Sequence, residues 1–273
     1  MRDYKDIKVS TQTYIIRTDI NHLDLSKCYQ RIKLNNSIRS VKYKENIKGG
    51  EIIVKKILSV HKNFLNCLTI VINIDKKMNV KIFSNGTFQL TGCKNNQHVI
   101  NCMNIILTEF IREKCLDKEF ITYYIISVMR NIDFDVHFKI DRNKFADYID
   151  ASTEFCVPPL TTGYMGMKIK IPLVNINDVL IPVIIWKPHE NSIKSFVTYK
   201  NFYTNIHKDN KKFGKKYYVS ISVFQNGKIL MSGLNEDIME SWYYWFISLI
   251  DVSKKEIELI PEIKKTFIRP RML

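Results

Sequence analysis

Phe83 and Phe224 are the residues through which this sequence could act, and the chemistry would be mechanical rather than catalytic. Each closes an alternating run, VKIF or ISVF, just ahead of an Asn-Gly pair. Val219, Ile221 and Val223 point one way along their strand, while Ser220, Ser222 and Phe224 point the other. In the first run Val80 and Ile82 share one face, and Lys81 and Phe83 share the opposite one. A single exposed aromatic is ordinary. Two at equivalent places, each among polar neighbours, suggest a surface that works with aromatic wedges. Enzymatic signatures are missing from the sequence: it has no P-loop, GxGxxG, HExxH or nucleophile elbow. His22, His61, His98, His137, His189 and His207 are scattered, and strand alternation and helix capping account for Asp133, Asp135 and Asp141 better than a metal site does. No catalytic residue, metal or cofactor is expected, and the chain does not read as an enzyme.

The elements that carry the two phenylalanines form a repeat. Residues 80–94, VKIFSNGTFQLTGCK, align without a gap on residues 221–235, ISVFQNGKILMSGLN. Each copy reads as a strand, a two-residue Asn-Gly turn with φ > 0 at both positions, a second strand, a glycine and the polar start of a helix. Residues 8–20 read as a strand, and Asp24 as the cap of a short helix with Leu25, Cys28 and Ile32 on its apolar stripe. Residues 33–63 read as an irregular basic stretch with a weak strand near 51–58, followed by a strand over 67–74. Asn95 and Asn96 cap a helix lined by Val99, Cys102, Met103, Ile106 and Phe110.

The order then recurs: a strand over 124–138, a short helix capped by Asp141 with Phe145, Tyr148 and Ile149, and a Pro/Gly loop ending as a strand by 172. Residues 173–216 have no counterpart in the first half and read as an insertion, with a buried strand over 179–186 and a polar lysine-rich remainder. After the second hairpin comes a helix capped by Asn235, with Ile238, Trp242, Trp245, Phe246 and Leu249 inward, and then a basic tail over 253–273. Two such halves make an α+β fold: an antiparallel sheet with helices on one face and the other face open.

Bulk properties narrow the partner. The 273 residues, 45% hydrophobic, suffice for a packed core. No apolar stretch reaches the ~20 residues of a membrane span, and MRDYKDIKVS has no apolar signal region. Six cysteines without a CxxC pair read as reduced thiols of an intracellular protein. The balance of 42 Lys+Arg against 27 Asp+Glu, net +15, favours a polyanion, nucleic acid ahead of a membrane surface, although A·T-rich coding also yields Lys, Asn and Ile.

The segments IFSNG…LTGCK and VFQNG…MSGLN, each followed by a long helix, resemble the two signature segments of the TATA-box-binding protein core. With MRNIDFDVHFKIDR at 129–142, the sequence is most similar to the divergent TATA-binding-protein-like members of large DNA viruses. The resemblance spans roughly residues 8–250 and implies a curved saddle of two pseudo-repeats, with helices on its convex face. The first repeat would be 1–116 and the second 117–252, with the insertion inside it at 173–216. It implies binding and bending of A·T-rich promoter DNA from the minor groove, and recruitment of a transcription factor IIB-like protein and RNA polymerase. The setting would be the viral factory in the host cytoplasm or the nucleus, with packaging in the virion as a further option.

Several site residues rest on that resemblance alone. Two phenylalanines per repeat insert between base steps in the family, which here implies Phe83 with Phe64, and Phe224 with Leu160 in place of the missing phenylalanine. The central asparagine pair falls on Asn131 and on Gln12 or Thr13. Groove-facing positions of the second hairpin strands fall on Gln89 and Thr91, and on Leu230 and Ser232. Phosphate-contacting positions fall on Lys94 and Lys228, with Lys168 or Lys170 in place of an arginine; Lys81 and Gln89 make this face unusually polar. Two alternatives stay open: a saddle that serves as a protein-interaction scaffold or virion component and has lost DNA bending, and a single-strand or RNA binder using stacked aromatics.

Overall fold

The computed structural model describes residues 3–50, 66–155, 157, 166–188, 190, 192–208 and 216–260. Its first half runs β1 (Val9–Thr18), α1 (Leu25–Arg31), β2 (Ile38–Tyr43), β3 (Asn46–Lys48), β4 (Cys67–Asn73), β5 (Lys77–Phe83), β6 (Thr87–Thr91) and α2 (Asn96–Arg112). The second half runs β7 (Ile121–Asp135), α3 (Arg142–Ser152), β8 (Gly166–Pro172), β9 (Leu180–Trp186), β10 (Ile193–Thr198), α4 (Tyr199–Asn201), β11 (Tyr218–Phe224), β12 (Lys228–Gly233) and α5 (Glu236–Ile257). Strands pair in the order β3-β2-β4-β5-β6-β1-β7-β12-β11-β8, with β9 and β10 branching from β7. Every pairing is antiparallel. This is the α+β architecture expected from the sequence, an antiparallel sheet with helices on one face.

Period-2 burial separates the two faces. Val80, Ile82, Phe88, Leu90, Tyr14 and Ile16 face inward and pack on Val99, Cys102, Met103, Ile106 and Phe110 of α2. Val219, Ile221, Val223, Ile229 and Met231 pack likewise on Phe145 and Ile149 of α3 and Met239, Tyr243, Phe246 and Ile250 of α5. Each fully buried side chain of this size contributes about 1.5–3 kcal/mol, so these two apolar layers hold the helices on one side. The α5 stripe is centred one residue from its expected place, on Met239, Tyr243 and Phe246. Trp242 and Trp245 instead flank it and meet Phe155 edge-on at 5.5 and 5.1 Å. Helix α5 also continues to Ile257, into the first residues of the expected tail.

The hairpin turns differ from expectation. Their loops have three residues, 84–86 and 225–227, closed by Gly86 N–H donating to Phe83 O (3.1 Å) and Gly227 N–H to Phe224 O (3.0 Å). Only the glycines have positive φ, +71° and +86°, so each loop is a type I turn followed by a left-handed glycine, and the asparagine needs no strained backbone. Asn85 and Asn226 instead accept from the N–H of Thr87 and Lys228 through their side chains. Both loops dock on equivalent partners: Leu23 N–H donates to Ser84 O, and Ile140 N–H to Gln225 O.

Two further readings are corrected. Residues 38–48 form the ordered hairpin β2–β3, with Ile38 and Val41 fully buried, where an irregular stretch was expected; the weak strand at 51–58 lies outside the described residues. The gapless repeat alignment breaks at its last residue, because the caps are Asn95 and Asn235, leaving Lys94 as an extra residue in the first copy.

The insertion extends the sheet. β9 bonds to β7 through Ile121↔Trp186 and Tyr124↔Val183, and β10 pairs outside β9. Trp186 is fully buried in the first core, with its Nε1 donating to Asn104 Oδ1 of α2 at 3.0 Å. Tyr199, Phe202 and Tyr203 close a third core against Ile126 and Leu234.

Candidate functional site

The sheet face turned away from the helices is built from alternate residues of nine strands. In the first half one row crosses Lys42, Thr69, Lys81, Gln89 and Ile15, and a second crosses Asn79, Thr91, Thr13 and Met129. In the second half the matching rows are Lys168, Ser222, Leu230, Asp133, and Lys170, Ser220, Ser232, Asn131, Thr11. The inner rows meet at the β1–β7 junction, so the register places the two halves about a pseudo-twofold there.

Phe83 and Phe224 lie at equivalent ends of this face, both half-buried. Each stands opposite a small residue on the neighbouring strand, Cys67 for Phe83 and Gly166 for Phe224. A depression of 590 Å³ runs from Phe224 past Lys228 and Leu230 to Asp133 and Asp135.

The register decides between the two candidates at the centre of the first repeat. Thr13 pairs with Thr91 as Asn131 pairs with Ser232, so Thr13 is the counterpart of Asn131. Gln12 is corrected: its side chain lies on the helix side, 5% exposed, donating to the Tyr14 hydroxyl at 2.8 Å and accepting from Arg130 Nη1 at 2.8 Å. The reason is alternation, since Gln12, Tyr14 and Ile16 share one side of β1. Asn131 keeps a buried side-chain oxygen without a hydrogen-bond partner.

Lys94 is also off the open face. It stands before α2, ion-paired with Asp75 at 3.1 Å, and its ammonium holds the Asp75 carboxyl below the usual range. Lys81, Gln89, Thr91, Leu230, Ser232, Lys168 and Lys228 are all on the open face, with Lys168 and Lys228 exposed. Phe64 and Leu160 lie outside the described residues.

Of three further open-face residues, Arg17 escaped the sequence reading, and Asp133 and Asp135 were read there only as alternating strand residues. Arg17 donates through Nη1 to Thr87 Oγ1, and its buried Nε has no partner. Asp133 is exposed without an ion-pair partner among the described residues, and Asp135 accepts from the His137 N–H at 2.7 Å. Strand alternation alone could have found all three, once the face was known to be open. Among the described residues no group of three His, Cys, Asp or Glu could hold a metal ion.

Comparison with known proteins gives distant relatives. No family model matches the chain. It is 22% identical to the uncharacterized protein 335L of Invertebrate iridescent virus 6, over 89% of this chain and 83% of that protein. It is 28% identical to a TATA-box-binding protein-like protein of Acanthamoeba polyphaga mimivirus over 73% of this chain, spanning about half (51%) of that relative. The solved structure of Methanococcus jannaschii TBP superimposes with a TM-score of 0.47 at 13% identity, covering 91% of this chain and 98% of its own.

Proposed function

We propose that this chain is a TATA-box-binding-protein-like transcription initiation factor that lays its open sheet face on the minor groove of A·T-rich duplex DNA and bends it. The observation that carries the reading is the equivalent placement of Phe83 and Phe224, each at the open end of a hairpin beside a small neighbour. An apolar ring wedged into a base step costs a few kcal/mol of stacking, offset by the protein surface that a bent duplex can reach. TA steps unstack with least cost, so deformability would supply much of the preference. Thr13, Thr91, Asn131 and Ser232 at the centre suit the coarse minor-groove pattern of acceptors. The net charge of +15 and the mimivirus relative's printed name support the same reading. Recruitment of a factor-IIB-like protein and RNA polymerase would follow as the biological role.

A second reading, a protein-interaction scaffold that no longer bends DNA, is favoured by one observation: Asp133 and Asp135 place carboxylates on the face where phosphate and base acceptors would lie. Energy transfer between dyes at the two ends of an A·T-rich duplex separates the readings. Wild type should shorten the end-to-end distance, and Phe83→Ala/Phe224→Ala should abolish the bend and weaken binding about ten- to hundredfold. Straight DNA with wild type, or bending that survives the double substitution, would remove the DNA-bending reading. Equal or tighter binding of the single strand would replace it with recognition by stacking.

A further inference from the structure

The sheet forks at β7. One edge of this strand bonds to β9 over residues 121–124 and to β12 over residues 130–135. Among the described residues no strand bonds to that edge over 125–129. The fork encloses a 380 Å³ pocket on the helix side of the sheet. Its polar floor is Gln12, Tyr14 and Arg130, and the first turns of α2 and α5 converge on it with Asn95, Asn96, Asn235, Glu236 and Asp237. The insertion supplies the apolar wall: Ile181, Pro182 and Tyr199, with Leu180 and Phe196 at 60% and 55% exposure.

Arg130 is the unusual group. Its side chain is 7% exposed, and a buried guanidinium requires charge balance and full hydrogen bonding. It has neither in full. Nη1 donates to Gln12, Nη2 reaches Glu236 Oε1 at 3.3 Å, and Nε has no partner. Glu236 is itself 56% exposed, so the counter-charge is loosely held. The buried Tyr4 hydroxyl sits against the same guanidinium, whose charge and hydrogen bonding oppose the upward push of burial on its phenol, although the contact falls short of a well-formed hydrogen bond to Nε. Burial pushes the Tyr14 phenol up, so its hydroxyl keeps its proton and can donate. The caps Asn95 and Asn235 each satisfy one N–H, of His98 and Ile238, which leaves further first-turn donors at each helix start.

We propose that this fork is a binding site for a monoanionic carboxylate carried on an apolar group, its carboxylate on Arg130 and its apolar body against Phe196, Leu180 and Pro182. The anion class follows from charge. Lys94 also lines the pocket but is ion-paired with Asp75, so Arg130 is the cation open to a ligand. Glu236 and Asp237 at the positive end of α5 repel a dianion, whereas a single carboxylate can take over the place that Glu236 holds on Arg130. The body follows from the wall, since a pocket of this volume lined on one side by exposed apolar residues matches a small amphipathic ligand. The site is independent of the DNA reading, because Gln12, Tyr14 and Arg130 face away from the open sheet surface. A free organic acid and a peptide's C-terminal carboxylate share this chemistry.

Titration calorimetry on the full chain tests it with four probes: 3-phenylpropionate, the neutral 3-phenylpropanol, inorganic phosphate, and a tripeptide ending in Phe with a free or amidated terminus. The acid should bind saturably and the alcohol about tenfold or more weaker. Arg130→Gln should abolish binding. Because that variant could fail to fold, two exposed sites carry the test independently: Phe196→Ala should weaken the acid several-fold, and Glu236→Gln should tighten it by removing the competing carboxylate. A merely structural pocket would not gain affinity from Glu236→Gln. A free-ended tripeptide that binds tighter than the small acid identifies a peptide terminus as the source; the reverse identifies a metabolite-sized acid. The proposal falls if neither acid saturates, if the alcohol binds as well, if phosphate displaces the acid, or if Glu236→Gln and Phe196→Ala both leave binding unchanged.

Discussion

Replacing Asp133 with Asn should tighten DNA binding on the reading proposed above. Asp133 is exposed on the open face, paired across to Leu230, with no cationic partner among the described residues. A duplex on this face would bring phosphates to within about 8 Å of the carboxylate, where an effective dielectric near 40 gives roughly 1 kcal/mol of repulsion per phosphate. Screening at ~0.1 M salt removes part of that, so the expected gain is about three- to tenfold in affinity at low salt. Neutralising one carboxylate in the interface also steepens the fall of log K with log salt by up to about 0.9. Fluorescence anisotropy on a labelled A·T-rich duplex across a salt series reads both quantities. Asp251→Asn, on the exposed side of α5, serves as the control. The gain should shrink on a duplex with G·C in the corresponding half-site, where the guanine N2 amino group can donate to the carboxylate. Equal affinity and slope for Asp133→Asn and the Asp251→Asn control would refute the placement of DNA on this face.

Three more expectations concern stability and the sorting of the two faces. Gly227→Ala should cost about 1–3 kcal/mol in denaturant unfolding, because the left-handed φ of +86° is unfavourable for alanine and the new Cβ would meet Phe138 O at 2.3 Å. Gly86→Ala should behave alike, its Cβ meeting Ile20 O at 2.1 Å; a change below ~0.5 kcal/mol at both would contradict the docked loops. Trp186→Ala should destabilise by about 3–5 kcal/mol through lost burial and the lost bond to Asn104, yet leave duplex affinity of the folded protein unchanged; a large affinity loss would mean that the insertion reaches the DNA face. Ser232→Ala should weaken duplex binding with little loss of stability, and Gln12→Ala the reverse, since the first lies half-buried on the open face and the second holds Arg130.

The repeat and its faces were legible because the hairpin strands alternate cleanly and a single polar residue caps each long helix. Asn95, Asn235, Asp24 and Asp141 all cap where the sequence places them. The β2–β3 hairpin escaped notice because a register shift between Ile38 and Ser40 breaks its period, burying Ser40 next to Val41. The turn type was misjudged because Asn-Gly suits both a two-residue loop and the last two positions of a three-residue one. The ambiguity between Gln12 and Thr13 could not be settled along the chain, as both residues are polar and only cross-strand pairing shows which faces outward. The fork was invisible for the same reason: Arg130, Gln12 and Phe196 are far apart in sequence, and only the pairing of β7 with both β1 and β9 brings them around one cavity.

The pseudo-twofold has a consequence for how a duplex would sit. Identical halves would bind DNA in either direction equally, so any preference must come from side chains that break the symmetry. At matched positions the first half offers Lys81, Gln89 and Ile15, and the second Ser222, Leu230 and Asp133. Arg17 on the first half faces no carboxylate across its rung, whereas Lys228 on the second stands opposite Asp135. Lys228 across the rung offsets most of the Asp135 charge, so Asp133 dominates, and about 1 kcal/mol from it biases orientation roughly fivefold. The first half would then take the segment of deepest negative potential, and the second the more G·C-tolerant flank. Such a bias needs no specific base contact from either half. It would disappear in Asp133→Asn/Asp135→Asn while bending by Phe83 and Phe224 persists, which separates the choice of direction from the act of bending.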